Sequence, residues 1–269
     1  MALQPLTRSK VIRLAVPVML AQAATASTGV VDTAVMGLHG TEVDIGAVGI
    51  AVVTMTFLYW AFGFLRMSTT GLVAQAAGAD QHDEVSATLQ RALLTGAALG
   101  LAILLLSPLL KHLVFQPFAA TDEVKNLAGS YWNARIWGAP ALLISYAITG
   151  WLLGMGKTGQ LLVVQIIMNG VNCGLDIWFV AGLDLGPAGI GAGTAIGEWV
   201  SVIVGLYMVR SGLGRSPALF DKAKLIALFT ANRDILIRTL ALLFVFAWFV
   251  NSGASIDTAT LAGNEVLLQ

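Results

Sequence analysis

The sequence predicts an all-α polytopic membrane protein, built as a six-helix transmembrane lobe followed by the first helix of a second, repeated lobe. Hydrophobic residues make up 57% of the chain and charged residues 11%, whereas a soluble domain carries about 25% charged residues. Apolar stretches long enough to cross a bilayer recur along the chain. The segment that follows the longest polar connection also resembles the beginning of the chain.

The composition also disfavours several classes of function. The net charge is zero, so there is no basic signal for a nucleic-acid partner. Cys173 is the only cysteine, which excludes an intrachain disulfide, and the three histidines lack zinc-binding spacing. No phosphate loop and no nucleophile with a base is visible. We therefore expect a non-enzymatic protein that has no cofactor.

The membrane-spanning helices follow from the apolar stretches, which Gly-rich and polar connections separate. A spanning helix needs about 20 mostly apolar residues. The predicted helices cover 11–36, 45–70, 89–114, 131–155, 161–182, 189–209 and 235–254.

Lysine and arginine predict the orientation of these helices. Most of them lie at the starts of odd-numbered helices and the ends of even-numbered ones, while the other side carries Lys111, Lys125 and Arg135. Because cytoplasmic loops collect Lys and Arg, we expect a cytoplasmic N-terminus.

The connection 211–231 divides the chain into a six-helix lobe at 1–210 and the start of a second lobe at 232–269. An offset of 225 residues carries Arg13 onto Arg238 and Asp32-Thr33-Ala34 onto Asp257-Thr258-Ala259. Six helices per unit give two repeats of the same orientation. On this reading the second lobe is truncated, and we expect a longer natural polypeptide.

Polar stripes mark the fifth and first predicted helices. Spacings of three and four residues place each set of polar side chains on one helical face. These stripes face either an interhelical hydrogen-bond seam or a cavity, and a carboxylate in each favours the cavity. The stripes contain Gln165, Asn169, Asn172 and Asp176 on the fifth helix, and Gln22, Thr25, Gly29 and Asp32 on the first.

Asp32 is the most informative of these residues. A carboxylate at the centre of a membrane helix costs about 2.5–3.5 kcal/mol on insertion scales. It is either a permanently paired structural group or a proton carrier that is protonated from one side and deprotonated at the other. Pro17, further back on the same helix, removes a backbone hydrogen bond and gives a static kink or a hinge.

Other polar residues in the helices have more ordinary explanations. Glu198, in the sixth predicted helix, is expected to form a structural ion pair with an arginine, either Arg66 or Arg91; Arg66 could instead extend to the interface. Tyr131 is either an interfacial anchor or a cavity residue. Gly189, Gly193 and Gly197 recur every fourth residue, which predicts a close helix–helix contact.

Several motifs in order resemble the multidrug and toxic compound extrusion (MATE) family, in its DNA-damage-inducible protein F branch. The stretch 65–79, LRMSTTGLVAQAAGA, resembles the end of that family's second helix. Further matches in the same order lie at 31–34, at 150–154, at Asn172 with Asp176, and at 232–235.

The resemblance implies a bacterial inner-membrane transporter that exports cationic or amphipathic compounds by alternating access, driven by proton or sodium flow. It implies that Asp32 is the proton-coupling carboxylate, with Asn172 and Asp176 in the same cavity adjusting its proton affinity. It also implies that Pro17 bends on protonation and that Tyr131 joins the network. Members have about twelve helices, so a second lobe is needed to complete the transporter.

Three alternatives remain open at this stage. Sodium coupling is the nearest, because carboxylate and amide oxygens also bind Na⁺. A lipid-linked precursor flippase of the same superfamily would be expected to have a basic cavity. A non-transporting membrane scaffold would leave the two polar stripes without an explanation.

Overall fold

The computed structural model describes residues 7–116, 120–214, 219 and 221–254. These residues form helices joined by short connections. The helices are α1 (Arg8–His39), α2 (Glu42–Trp60), α3 (Phe64–Gly78), α4 (His82–Phe115), α5 (Asp122–Arg135), α6 (Ala139–Gly154), α7 (Thr158–Ile177), α8 (Gly186–Val209) and α9 (Lys222–Ala254).

Six segments of the described chain are long and apolar enough to cross a membrane, as predicted for the first lobe. They are Arg8–His39, Glu42–Gly78, His82–Phe115, Asp122–Gly154, Thr158–Gly182 and Gly186–Gly212. The second of these segments contains both α2 and α3, and the fourth contains both α5 and α6.

Two spans are interrupted at positions that the sequence analysis treats as continuous helix. The chain leaves the helix between Trp60 and Phe64, and a short 3₁₀ turn at Ile136–Gly138 separates α5 from α6. Pro140 lies in the first turn of α6, where a missing N–H costs no helical hydrogen bond. The second interruption follows Arg135 directly, so it affects how that side chain is placed.

Several helices begin earlier than predicted, because their first turns are polar. Thr121 caps α5 by accepting from the Val124 N–H, and acidic residues occupy the first turn. The capping group and the helix dipole favour a helix start there. A prediction from hydropathy alone detects only the apolar part of the helix and so misses this polar first turn. The fourth span therefore begins at Asp122 rather than at 131.

Small residues allow close contacts between helices. A methyl group on Gly96 would lie 2.7 Å from the Leu143 carbonyl oxygen, so α4 lies directly against α6. On α8, methyl groups at Gly189 and Gly197 would lie 3.0 Å from Phe179 Cβ and 3.1 Å from the Met168 carbonyl oxygen. The predicted glycine face of the sixth span is confirmed as a contact with the fifth.

Helix α9 begins at Lys222, inside the predicted connection 211–231, and it packs on α3. Buried Asn232 accepts a hydrogen bond from the Ser68 hydroxyl at 2.5 Å. Helix α9 is thus anchored to α3 by a polar contact. The predicted repeat motif at 257–259 lies outside the described residues.

Candidate proton-coupling site

Two carboxyl groups meet inside the lobe. Asp32 of α1 and Asp176 of α7 are 3% and 0% exposed, and their side chains lie close enough to interact electrostatically. Among the described residues, the Oδ1 atom of each is buried without a hydrogen-bond partner. Because an ionised carboxylate only accepts, a hydrogen bond between the two groups forms only when one of them carries a proton.

Helix geometry places these two residues at the same depth. Asp32 lies seven residues before His39, and Asp176 lies six residues before Gly182, where the fifth span ends. At 1.5 Å per residue, each is about 10 Å from the same end of the lobe. Neighbouring helices that run in parallel can therefore bring the two side chains together.

Asn172 and α8 hold Asp176 in place. The Asn172 amide donates to Asp176 Oδ2 at 2.8 Å and to Thr194 Oγ1 at 3.2 Å. A methyl group on Gly193 would overlap Asp176 Oδ1. Glycine at this position of α8 therefore makes the space that the carboxyl group occupies.

Tyr131 of α5 lies beside the carboxyl pair. Its side chain is 2% exposed, and it interacts electrostatically with Asp32, Asp176 and Arg135. A residue so enclosed is part of the polar interior, so the interfacial-anchor interpretation is wrong.

A buried ion pair lies next to this group. Arg135 Nη1 donates to Glu198 Oε2 at 2.6 Å, and Nη2 donates to Oε1. The Arg135 guanidinium also lies over the Tyr59 ring, 5.3 Å from its centroid. The interior of the lobe thus holds two linked elements: a carboxyl pair and an arginine–glutamate pair.

Comparison with known proteins decides the family. The sequence profile described as MatE matches residues 17–178. The chain belongs to the MatE family. It is 33% identical over 264 residues to DNA damage-inducible protein F of Escherichia coli K12, which covers 95% of this chain and 57% of that protein. It is 27% identical over 211 residues to the probable multidrug resistance protein NorM of Acinetobacter baylyi, covering 76% and 46% respectively.

A solved structure agrees on the fold. The crystal structure of a MATE protein in the bent conformation superimposes with a TM-score of 0.83 at 20% identity, covering 94% of this chain and 58% of that one. The chain therefore spans about half the length of the relatives that it matches. It is a multi-pass membrane protein of a transporter family rather than an enzyme.

Within this MatE lobe, the predicted pairing of Glu198 with Arg66 is wrong, as is the alternative with Arg91. Glu198 binds Arg135, while Arg91 binds Glu84 at 3.0 Å. The reason is depth. Arg135 lies about 20 Å from the start of its span at Asp122, and Glu198 lies about 18 Å from the start of its own at Gly186.

A predicted helix start at 131 places Arg135 near the membrane surface, so its buried pairing with Glu198 is not predicted from the sequence. The acidic first turn after Thr121 carries the signal that would have revealed it. Arg135 lies thirteen residues into this span and is 7% exposed, so its side chain is enclosed by the helices.

The polar stripes of α1 and α7 face each other in this MatE lobe. Thr25 donates to Gln165 Oε1 at 3.2 Å, and Thr28 donates to Asn169 Oδ1 at 3.0 Å. Over these turns the helices are joined by direct hydrogen bonds, which is the seam that the sequence left open as an alternative. Thr28 was not among the predicted site residues.

The structure shows the positions of the remaining predicted site residues, but their roles stay predictions. Gln22 and Thr25 have exposed side chains, while Gln165 and Asn169 are partly buried. Their lining of a substrate cavity stays a prediction. Pro17 lies inside α1 as predicted, and its action as a hinge likewise stays a prediction.

Proposed function

We propose that this chain forms the first lobe of a secondary active transporter that exports cationic or amphipathic compounds in exchange for protons. The observation that supports this most strongly is the buried contact between Asp32 and Asp176. A relative named as a probable multidrug resistance protein supports the substrate class.

The carboxyl pair can couple proton movement to a change in helix packing. With one proton, the two groups are joined by a hydrogen bond across the contact between α1 and α7. Without it, two carboxylates lie together in a low-dielectric interior and repel each other. Loss of the proton therefore favours separation of α1 from α7, and a bound organic cation would compensate the exposed negative charge.

The membrane placement is part of the same proposal. The concentration of Lys and Arg on one side favours a cytoplasmic N-terminus in a bacterial inner membrane. The pair then lies nearer the outer surface, where protons enter. The transport path requires a second lobe, which the remainder of a longer polypeptide would supply.

The alternatives fit the buried charges less well. A flippase for an anionic lipid-linked precursor needs an available positive charge, but the Arg135 guanidinium is bound to Glu198. A non-transporting scaffold gives no reason to bury two carboxyl groups in contact, since each is expensive in a membrane.

The experiment uses the natural-length polypeptide in liposomes, with ethidium as the transported cation. Asp32→Asn is expected to abolish efflux driven by a pH gradient. Asp80→Asn is the matched control, because Asp80 is exposed and its positive φ of 56° suits asparagine. Unchanged pH-driven efflux in Asp32→Asn would overturn the proposal. Efflux that follows a sodium gradient at fixed pH would replace proton coupling with sodium coupling.

A further inference from the structure

We propose that Arg135 is a positioning residue whose fixed positive charge, held in place by Glu198, sets the pH range over which the Asp32–Asp176 pair exchanges its proton. The inference rests on the proposed function. It assigns the arginine–glutamate pair to the coupling machinery rather than to structural support alone.

Three contacts hold the Arg135 side chain in place. Both ends of its guanidinium bind Glu198, and both residues are buried, at 7% and 3% exposure. The Tyr59 ring covers one face. A methyl group on Gly138 would lie 2.8 Å from Arg135 Nη1, so the backbone closes over the group as well. Such a guanidinium is a stationary charge, unlike an arginine on a flexible surface.

The charge lies within reach of the carboxyl pair. Two neighbouring glycines of α8 bring the groups close: an added methyl group would lie 3.2 Å from the Arg135 backbone nitrogen at Gly191 and would overlap Asp176 Oδ1 at Gly193. Arg135 also interacts electrostatically with both Asp32 and Asp176. Tyr131, four residues earlier on α5, lies on the same helical face and interacts with all three groups. The α5 face that carries Tyr131 and Arg135 therefore connects the ion pair with the carboxyl pair.

The ionisable groups around the pair come from every adjacent span. The second span contributes Tyr59 and Arg66, and the sixth contributes Glu198. The fourth contributes Tyr131, Arg135 and Tyr146, and Tyr146 interacts electrostatically with Arg66. Of the cations in this group, Arg135 is the one that interacts with both aspartates, and the Glu198 carboxylate compensates part of its charge.

This arrangement has a physical use. Two carboxyl groups in a low-dielectric interior resist losing their last shared proton, because the product is a concentrated negative charge. A nearby fixed cation offsets that charge and makes release possible at a working pH. Glu198 neutralises part of the Arg135 charge, which limits how strongly that charge favours proton release. It also holds the guanidinium at a fixed distance from the carboxyl pair.

The test measures protonation directly. Infrared absorbance of protonated carboxyl groups is followed against pH in the purified natural-length polypeptide, and the component that Asp32→Asn removes is assigned to the pair. Glu198→Gln leaves the Arg135 charge uncompensated, so the midpoint should fall by about one pH unit. The double variant Arg135→Gln with Glu198→Gln removes the cation, so its midpoint should rise above that of the unaltered protein.

Two further variants separate positioning from mere support. Arg135→Lys keeps the charge but loses the two-point contact, so its midpoint should stay close to that of the unaltered protein. Arg91→Gln with Glu84→Gln removes a second ion pair, in the first third of α4, and should leave the midpoint unchanged.

The outcomes are distinct. Midpoints that coincide in the unaltered protein, Glu198→Gln and the double variant would overturn the inference and assign the ion pair to folding alone. Should Glu198→Gln fail to fold, the double variant and Arg135→Lys still decide. A pair that titrates as expected, combined with ethidium efflux insensitive to Asp32→Asn, would overturn the proposed function instead.

Discussion

Gly193→Ala is expected to displace the carboxyl group of Asp176 and so weaken its contact with Asp32. The added methyl group would overlap Asp176 Oδ1 and would lie 3.2 Å from both its Cγ and its backbone nitrogen. Overpacking of a close-packed interior costs about 1–3 kcal/mol. Alanine also gains about 1 kcal/mol over glycine within a helix, which partly masks that cost.

Gly174→Ala on α7 is the matched control. A methyl group there would meet no atom within 4 Å, so it gains the same helix preference without the clash. The difference in unfolding free energy between the two variants should therefore be about 1–3 kcal/mol. For a chain of this size that corresponds to roughly 2–4 °C in Tm for each kcal/mol.

The assay combines thermal unfolding in detergent with the infrared carboxyl signal. Gly193→Ala should lower Tm relative to Gly174→Ala and alter the absorbance assigned to the Asp32–Asp176 pair. Equal Tm values and an unaltered carboxyl signal in both variants would refute the close contact between α8 and Asp176.

Other variants test the contacts around the site. Thr28→Val removes its hydrogen bond to Asn169 and should cost about 0.6 kcal/mol in a membrane interior, visible as a small fall in Tm; a cost above 2 kcal/mol would mean that the seam has another role. Asn232→Ala leaves the buried Ser68 hydroxyl with only its 3.3 Å bond to the Leu65 carbonyl and should cost about 0.5–1.5 kcal/mol, part of which Ser68→Ala should restore in the double variant. Pro17→Ala restores a backbone hydrogen bond in α1 and should raise Tm while slowing ethidium efflux; unchanged efflux would exclude a hinge at Pro17.

The parts of the site that the sequence predicts are those governed by local periodicity. The spacing of Asn172 and Asp176 places both on one face of α7, and their hydrogen bond follows directly from that spacing. Asp32 stands out because a carboxylate in an apolar stretch needs an explanation. The glycines of α8 predict close packing because small residues recur every fourth position.

The parts that the sequence did not predict depend on depth and on partners from distant segments. Arg135 and Glu198 are separated by 63 positions, and only the true start of the fourth span reveals that they lie at one level. The interruption after Trp60 has no proline to signal it. Whether polar stripes form a seam or a cavity depends on how closely α1 approaches α7, which side-chain periodicity does not encode.

Proton release on substrate binding tests the central claim most directly. The purified natural-length polypeptide is mixed with ethidium in weakly buffered solution, and a pH indicator records the protons that appear. The shared proton of Asp32 and Asp176 should be released when the cation binds. The Asp32→Asn variant should bind ethidium without releasing a proton. Equal proton release from the unaltered protein and from Asp32→Asn would contradict the assignment of this pair as the proton carrier.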